Sequence, residues 1–559
     1  RSSDTRADRH DSLDFQLYLL NYFFVATKHI FRMNLPSIFA ILSVISSVDA
    51  YKILVYNSKY GHSHSNFLGM IADTLVDAGH NVTSLIPILN KIGKDGTVKS
   101  TKIYVEPDPV VEKRYDHLSK GGINFFTMNN FDPLGPFKTG PGQGEMFYLT
   151  CKRVMEEPGL IEKLREEKYD VYISENFDVC GIGLAHAINP KSIIGTSATT
   201  LFGWQFDEFG VPEAVSYRPA PSMSFLNVHS FLDRLLNLYA SWIVRVRFSF
   251  SRRAVDRALK EHFGPEYPSV AEQSSSVAYV FTNSESLLDF AAPTLTRVVE
   301  IPGIGAATPK PIDEYWSEVL SRRSKNVLLS FGSQAKSVLL PIEMRMAILK
   351  VIARFPDVTF IWKYENPEDD FCTEHASKVT NLVLSKWMPQ VDILNHPNMS
   401  LFITHGGMGS TQETALRGVP GIFIPIFGDQ PRNAGMMEYN GFGKVFDKND
   451  LGDADKLAST IREVLENDKY RENARRISKM IAKKPFSSRE KLIKTVEFAA
   501  EFGPSTALRP QSLDITFIEY HNLDIIAAAS ALFAFIIVSL YKVVGFIIHK
   551  CLTSKIKID

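Results

Sequence analysis

One run constrains this chain more than any other. From Ile525 to Tyr541 there are 17 residues without a charge, and after Lys542 the apolar character resumes from Val543 to Ile548. Backbone N–H and C=O groups placed in hydrocarbon must pair within their own segment, so such a run is a helix. Taken from 525 to 548 it spans ~36 Å at ~1.5 Å per residue, enough to cross a ~30 Å core with tilt while Lys542 snorkels toward one face. A single membrane anchor is expected at 525–548. Asp514, Glu519 and Asp524 precede it and Lys550, Lys555 and Lys557 follow it. The positive-inside rule then puts the tail, 549–559, in the cytoplasm and everything before the span in a lumen.

The N-terminal end fits that topology. Met33 is the first methionine; Lys28 and Arg32 precede it, the apolar stretch Leu35 to Val48 follows, and the run closes on Val48-Asp49-Ala50. A basic start, an apolar core too short for a span and a small closing residue make a secretory signal at about 33–50, cleaved near Ala50. Residues 1–32 read as an extension ahead of it and are assigned no function. Lys557 and Lys555, third and fifth from the end, resemble the dilysine retrieval signal of endoplasmic-reticulum membrane proteins, so the expected location is that membrane, single-pass, with the folded part lumenal. The sequons Asn81-Val82-Thr83 and Asn398-Met399-Ser400 suit a lumenal chain. Asn398 is the preferred one, because Asn81 opens an apolar run.

Composition excludes several classes. Lys+Arg 62 against Asp+Glu 62 leaves no net charge, which argues against a nucleic-acid binder relying on phosphate contacts. Cys151, Cys180, Cys372 and Cys551 are widely spaced. They form neither a CxxC metal pair nor a dense disulfide framework, and no metal site is expected.

Between the ends the pattern is α/β. Lys52 to Tyr56 is a short apolar run, Ser58 to Ser65 a Gly/Ser/His-rich turn, and Phe67, Leu68, Ile71, Ala72, Leu75 and Val76 recur at helical spacing before Gly79 and a second β-rich run, Val82 to Ile86. That βαβ unit implies a parallel sheet. A second series begins at Asn326-Val327-Leu328-Leu329-Ser330 and continues with strands at 358–364, 381–385, 401–404 and 421–425. Two doubly wound domains joined near 295–310 follow, with ligands expected at the carboxyl ends of the strands. The Gly/Pro/aromatic-rich stretches 121–144 and 203–221 read as long loops walling the cleft.

The densest chemistry lies between Trp387 and Gln430. Leu401 to Thr404 is a strand that turns through His405-Gly406-Gly407 into a helix running from about Ser410. A helix N-terminus behind glycines offers unpaired N–H groups and a positive dipole end, a site for phosphate. His405 can add a donor to a diphosphate, and Glu413, one turn further in, can accept from ribose hydroxyls. Trp387 gives a flat surface on which a base can stack. Asp429 and Gln430, beyond the next strand end, suit paired contacts with sugar hydroxyls.

The 29 positions from Phe402 to Gln430 closely resemble the donor motif of the UDP-glycosyltransferases, which include the UDP-glucuronosyltransferases of the endoplasmic reticulum. The resemblance extends over residues 51–550, and His-Gly-Gly-Met-Gly-Ser-Thr-Gln-Glu is most similar to invertebrate, nematode-like members. It implies a GT-B fold: two Rossmann-like domains facing a cleft, an acceptor domain at 51–298, a donor domain at 299–505 and a return helix at 506–524. It also implies that Trp387 stacks on uracil, Gln390 meets its edge, and His405, Gly406 and Gly407 hold the diphosphate. Glu413 would hold ribose, Asp429 and Gln430 the sugar, and Ser330 and Ser333 the phosphate side. Two positions depart from the pattern. Gly409 stands where Asn is usual, leaving Ser410 or backbone N–H groups to supply the missing contact, and Gly421 replaces a larger apolar residue, which affects packing.

Deprotonating an acceptor hydroxyl suits a histidine. His62 and His64 compete for the role at the end of the first strand. The family register, counted 16 residues back from His80, selects His64 and leaves His62 as a solvated loop residue. The same register makes Glu175 the orienting carboxylate, with Asp178 as fallback. The implied reaction is single displacement with inversion, moving glucuronic acid or glucose from UDP to a small lipophilic acceptor, as in detoxification or steroid conjugation. UDP-glucuronic acid or UDP-glucose is then a co-substrate, with no permanently bound cofactor. A non-catalytic UDP-sugar-binding membrane protein or scaffold is the alternative, since Gly409 weakens the donor motif; assembly as a homo- or hetero-oligomer stays open.

Overall fold

A computed structural model describes residues 50–555 apart from 92, 123, 130 and 131. The expected N-terminal extension and signal, and the last four residues with Lys557, lie outside the described residues.

Seven strands form the first sheet: β1 Lys52–Tyr56, β2 Asn81–Pro87, β3 Thr101–Val105, β4 Val171–Glu175, β5 Ser192–Ser197, β6 Tyr279–Thr282 and β7 Val298–Glu300, in the order β3-β2-β1-β4-β5-β6-β7. Six form the second: β8 Lys325–Ser330, β9 Val358–Lys363, β10 Leu382–Ser385, β11 Met399–Thr404, β12 Gly421–Phe423 and β13 Gly443–Val445, in the order β10-β9-β8-β11-β12-β13. Every pairing in both is parallel. Strands covered on both faces should be continuously apolar rather than alternating. Ile53, Leu54, Val55 and Tyr56 are accordingly all buried. In each sheet the order reverses once, between β1 and β4 and between β8 and β11. Those are the points where crossovers diverge to opposite faces and open a crevice.

The helices that shape the site are α1 His62–Asp77, α2 Gly135–Met155, α3 Val179–Gly183, α4 Trp204–Phe209, α5 Phe231–Phe263, α6 Met408–Arg417, α7 Gln430–Tyr439, α8 Ser488–Phe502 and the apolar α9 Leu523–Lys555. α9 is long and apolar enough to cross a membrane over Leu523–Thr553.

Two expectations change, and the structure adds a disulfide. Residues 135–144 are not loop but the start of α2, and 204–209 form α4. Glycine and proline read as breakers, yet here glycine lets helices approach: a Cβ on Gly140 would meet Phe250 Cδ2 at 2.5 Å, and one on Gly144 would meet the Phe250 carbonyl oxygen at 2.8 Å. The helix that packs back on the first sheet is α8, not 506–524. Ser487 caps it by accepting from Glu490 N–H at 3.0 Å, and Leu492, Val496, Ala499 and Ala500 join Ile53, Val55 and Ile173 in one core. Gly503 and Pro504 end it, and 506–524 then holds only short turns at Thr506–Leu508, Gln511–Leu513 and Phe517–Tyr520, around the breaker Pro510. Finally, Cys151 and Cys180 form a disulfide joining α2 to α3; a pair 29 residues apart carries no spacing signal.

The sequon preference also reverses. Asn81 is exposed at the start of β2, whereas Asn398 donates its amide to Leu320 O at 3.2 Å and Ser400 is buried.

Candidate active site

Both switch points carry a histidine. β1 ends at Tyr56, and α1 begins at His62 with His64 in its first turn. β4, beside β1, ends on Glu175. The carboxylate takes the imidazole side-on: His64 Nδ1 lies 2.8 Å from Glu175 Oε1 and 2.9 Å from Oε2. A carboxylate only accepts, so Nδ1 carries the proton and Nε2 is left as the free base. Ala198 N–H donates to Glu175 Oε1 at 2.9 Å and fixes it from β5's side. Burial pulls the His64 pKa down, but the charge of Glu175, its hydrogen bond and the charge of Asp429 outweigh this and raise it. Rings surround the pair: Phe177 lies 4.8 Å from the imidazole, centroid to centroid, and Tyr60 stands edge-on at 6.3 Å. Asp178 is elsewhere. It caps α3 by accepting from Cys180 N–H at 3.2 Å, and burial lifts its carboxyl to about 6.

Across the cleft the second switch point has the same geometry and the opposite electrostatics. β8 ends on Ser330 and β11 on Thr404, followed by His405. The His405 ring is pressed between two glycines: a Cβ on Gly332 would meet Nε2 at 2.7 Å and one on Gly407 would meet it at 2.5 Å. Gly332 and Gly406 also hold positive φ, 81° and 76°, which suits glycine. Burial, then the charge of Lys363, pushes the His405 pKa down to about 4. His405 is therefore neutral near pH 7 and donates one N–H.

The other expected donor residues gather around this turn. Gln390 donates to Glu413 Oε2 at 2.6 Å and lies 3.5 Å from Ser410 Oγ. Burial raises the Glu413 carboxyl to about 7. Trp387 is 58% exposed. Asp429 faces His64 closely enough for each to bias the other's charge, and Asn433 donates to its Oδ2 at 2.7 Å. Gln430 is more committed than expected, because its Oε1 accepts from Ile426 N–H and Phe427 N–H at 2.9 and 3.1 Å. Only its Nε2 remains for a ligand. Ser330 is buried and Ser333 exposed beside it. Gly409 has open space where a Cβ would be.

The structure adds residues that sequence reasoning missed. Lys363, at the end of β9, donates to Gly332 O and stands 5.6 Å from the Trp387 ring centroid, with Lys94 at 5.4 Å. Two cations thus flank the ring expected to stack on a base. Their signal was position, since Lys363 closes a strand next to the switch point. His62 is not a solvated loop residue; it opens α1 and stands edge-on to Trp387 at 6.2 Å. The 124–128 segment reaches from the first sheet's side onto both donor turns. Phe125 stacks on Phe427 at 4.4 Å, Phe126 is buried edge-on to Phe331 at 5.3 Å, and Lys448 Nζ donates to Phe125 O, Met128 O and Ile426 O at 3.0, 2.6 and 3.0 Å.

This geometry has counterparts. Residues 51–558 match the family described as UDP-glucoronosyl and UDP-glucosyl transferase. The ugt-47 protein of Caenorhabditis elegans is 30% identical over 549 residues, covering 95% of this chain and 100% of that one. UDP-glucuronosyltransferase 1A7 of Rattus norvegicus is 27% identical, covering 88% and 91%. Among solved structures, a UDP-glucosyltransferase from Polygonum tinctorium superposes with a TM-score of 0.56 at 15% identity, covering 82% of this chain and 100% of that one. Phytolacca americana UGT2 does so at 0.53 and 17%, covering 81% and 100%. These two likenesses concern the fold, which is GT-B.

Proposed function

The chain belongs to the UDP-glucoronosyl and UDP-glucosyl transferase family, and from that premise we propose that it transfers glucose or glucuronic acid from the UDP-sugar to a hydroxyl of small lipophilic acceptors, with inversion. The observation that carries this reading is the His64–Glu175 pair at the first switch point, facing Asp429 across the cleft. A scaffold that only bound UDP-sugar would need no such base.

In the proposed reaction His64 Nε2 takes the proton from the acceptor oxygen as that oxygen attacks the anomeric carbon. Glu175 holds the tautomer and stabilises the imidazolium that forms. Asp429 and the Gln430 amide hold the sugar hydroxyls, while Trp387 stacks on uracil, Gln390 meets its edge and Glu413 holds the ribose. Charge developing on the departing diphosphate meets the neutral His405 donor, the N-terminus of α6 and the Ser330–Ser333 turn. The oxygen attacks from one face and UDP leaves from the other, which inverts the centre.

The C-terminal helix is the anchor in this reading, with the two sheets lumenal in the endoplasmic reticulum. The Cys151–Cys180 disulfide supports a lumenal setting, because reducing compartments keep thiols apart. The test is product analysis. Detergent-solubilised full chain, offered UDP-glucose and UDP-glucuronic acid with mixed phenols, should yield phenol glycosides of inverted anomeric configuration by mass spectrometry and NMR. Binding of UDP without product or UDP release from any phenol would overturn the proposal.

A further inference from the structure

Glu175 needs a support of its own. Its Oε1 takes the Ala198 N–H at 2.9 Å, so the aim of the carboxylate at His64 depends on how the turn after β5 is held. Connecting segments are ordinarily the more mobile part of a fold, and Asn283 grips this one. It follows Thr282, the last residue of β6, which pairs with Ser197 at the end of β5. Its backbone N–H is shared between Ser197 O and Thr199 O, both at 3.1 Å, and its Nδ2 donates to Ala198 O at 3.1 Å. Ala198 is thereby pinned from two sides, with its N–H on Glu175 and its carbonyl on Asn283.

The remaining polar groups of Asn283 are tied to another part of the molecule. Its Oδ1 accepts from Gly303 N–H at 3.0 Å, and its carbonyl accepts from Gln412 Nε2 at 3.0 Å. Gly303 lies in the segment between β7 and β8 that joins the two sheets, and a Cβ on it would meet Leu416 Cδ1 of α6 at 3.1 Å. In the same segment Gly305 O accepts from Asn66 Nδ2 at 2.7 Å, and Asn66 shares the first turns of α1 with His64. The joining segment therefore braces both members of the pair, α1 through Asn66 and Glu175 through Asn283 and Ala198. Asn283 is 6% exposed, and each of its backbone and side-chain polar groups has a partner. The residue type follows from that accounting: an amide donates to Ala198 O and accepts from Gly303 N–H at once, whereas a carboxylate could not donate and an apolar side chain could do neither. Gln412, buried one turn into α6, backs Asn283 from the body of that helix rather than from the donor turn at its start.

We propose that Asn283 is a positioning residue for the reaction, setting Glu175 through Ala198 and so keeping the carboxylate on His64. The inference rests on His64 and Glu175 acting as base and orienting group, so the experiment measures that pair alongside it. Detergent-solubilised full chain is assayed with a phenol and whichever of UDP-glucose and UDP-glucuronic acid it turns over, as wild type, Asn283→Leu, Glu175→Gln and the double variant. Such a cycle isolates an effect that passes through a shared partner. Asn283→Leu should lower kcat about tenfold in the wild-type background and less than about twofold in the Glu175→Gln background, while UDP affinity by calorimetry and KM for the UDP-sugar stay within about twofold of wild type. The acid limb of the rate profile should move to lower pH, by less than in Glu175→Gln, because a carboxylate free to turn away supports the imidazolium less. The titratable groups that face His64 from other elements, Asp429 and Tyr60, are untouched by the substitution. An equal loss in both backgrounds overturns the proposal and leaves the base reading standing, and so does a lowered thermal midpoint with kcat and the acid limb unchanged. Wild-type kcat in Glu175→Gln removes the base reading and this proposal together. Should Asn283→Leu not fold, Gln412→Leu takes away the brace one hydrogen bond further out; it should lower kcat about threefold in the wild-type background and leave it unchanged in the Glu175→Gln background. No loss in either background, or the same loss in both, would again overturn the assignment.

Discussion

His64 and His405 occupy matching places. Each follows a strand at the point where its parallel sheet reverses order, and each ring is largely enclosed, yet their pKa values move in opposite directions. A carboxylate 2.8 Å from Nδ1 raises that of His64 despite burial. His405 has two glycine flanks in place of a carboxylate; burial and the charge of Lys363 outweigh the one opposing influence, a hydrogen bond to the Ser330 backbone, and its pKa falls to about 4. Topology thus supplies the position and the neighbours supply the chemistry. One ring is poised to accept a proton and the other is held as a neutral donor.

The strongest way to break the comparison is to remove the first ring. His64→Ala should lower kcat/KM by about 10²- to 10⁴-fold, the range for a positioned general base, while UDP affinity by calorimetry stays close to wild type. Equal loss of both would mean that the ring supports the cleft rather than the reaction. Glu175→Gln should have the next largest effect, about 10²-fold, through the lost tautomer and imidazolium stabilisation. Its sign in pH is fixed: the neutral ring is the active form and Glu175 raises its pKa, so the acid limb of the rate profile should move to lower pH in the variant. A limb that stays in place would separate Glu175 from His64's titration.

On the donor side the perturbation is steric. Gly332→Ala puts a methyl 2.7 Å from the His405 ring at a φ of 81°, which costs about 1–2 kcal/mol in backbone conformation alone. KM for the UDP-sugar should rise about tenfold, with the acceptor KM and the pH limb set by His64 unaffected. If the acceptor KM moved in parallel, the two turns would not be independent parts.

The two halves also differed in how legible they were. The donor turn is contiguous from His405 to Gln430, and its physical reading as a phosphate-binding strand–turn–helix follows from a glycine pair ahead of a helix. The proposed catalytic pair is split by 111 residues, and pairing His64 with Glu175 needed a family register, because nothing local distinguishes Glu175 from Asp178. Gly140 and Gly144 misled for a physical reason: composition records that a residue is glycine, not whether it bends a chain or lets Phe250's helix close in. The carbonyl cage around Lys448 was invisible, since all three of its partners are backbone oxygens brought together only by the fold.

The smallest expected effect decides between the two carboxylates. Asp178 sits three residues from Glu175, but its folded pKa is raised from 3.8 to about 6 by burial. An acid raised in the folded state favours folding most when protonated. Its contribution is therefore complete below the unfolded value and lost as pH rises through about 6. The shift of about two units sets a ceiling of roughly 3 kcal/mol on that loss. Asparagine caps a helix as well as aspartate does and carries no charge to desolvate. Asp178→Asn should therefore keep wild-type turnover and pH profile, and its thermal midpoint relative to wild type should be higher at pH 7.5 than at pH 4.5. An activity loss approaching that of Glu175→Gln would transfer the orienting role to Asp178, and a midpoint difference independent of pH would mean that its carboxyl is charged in the folded protein.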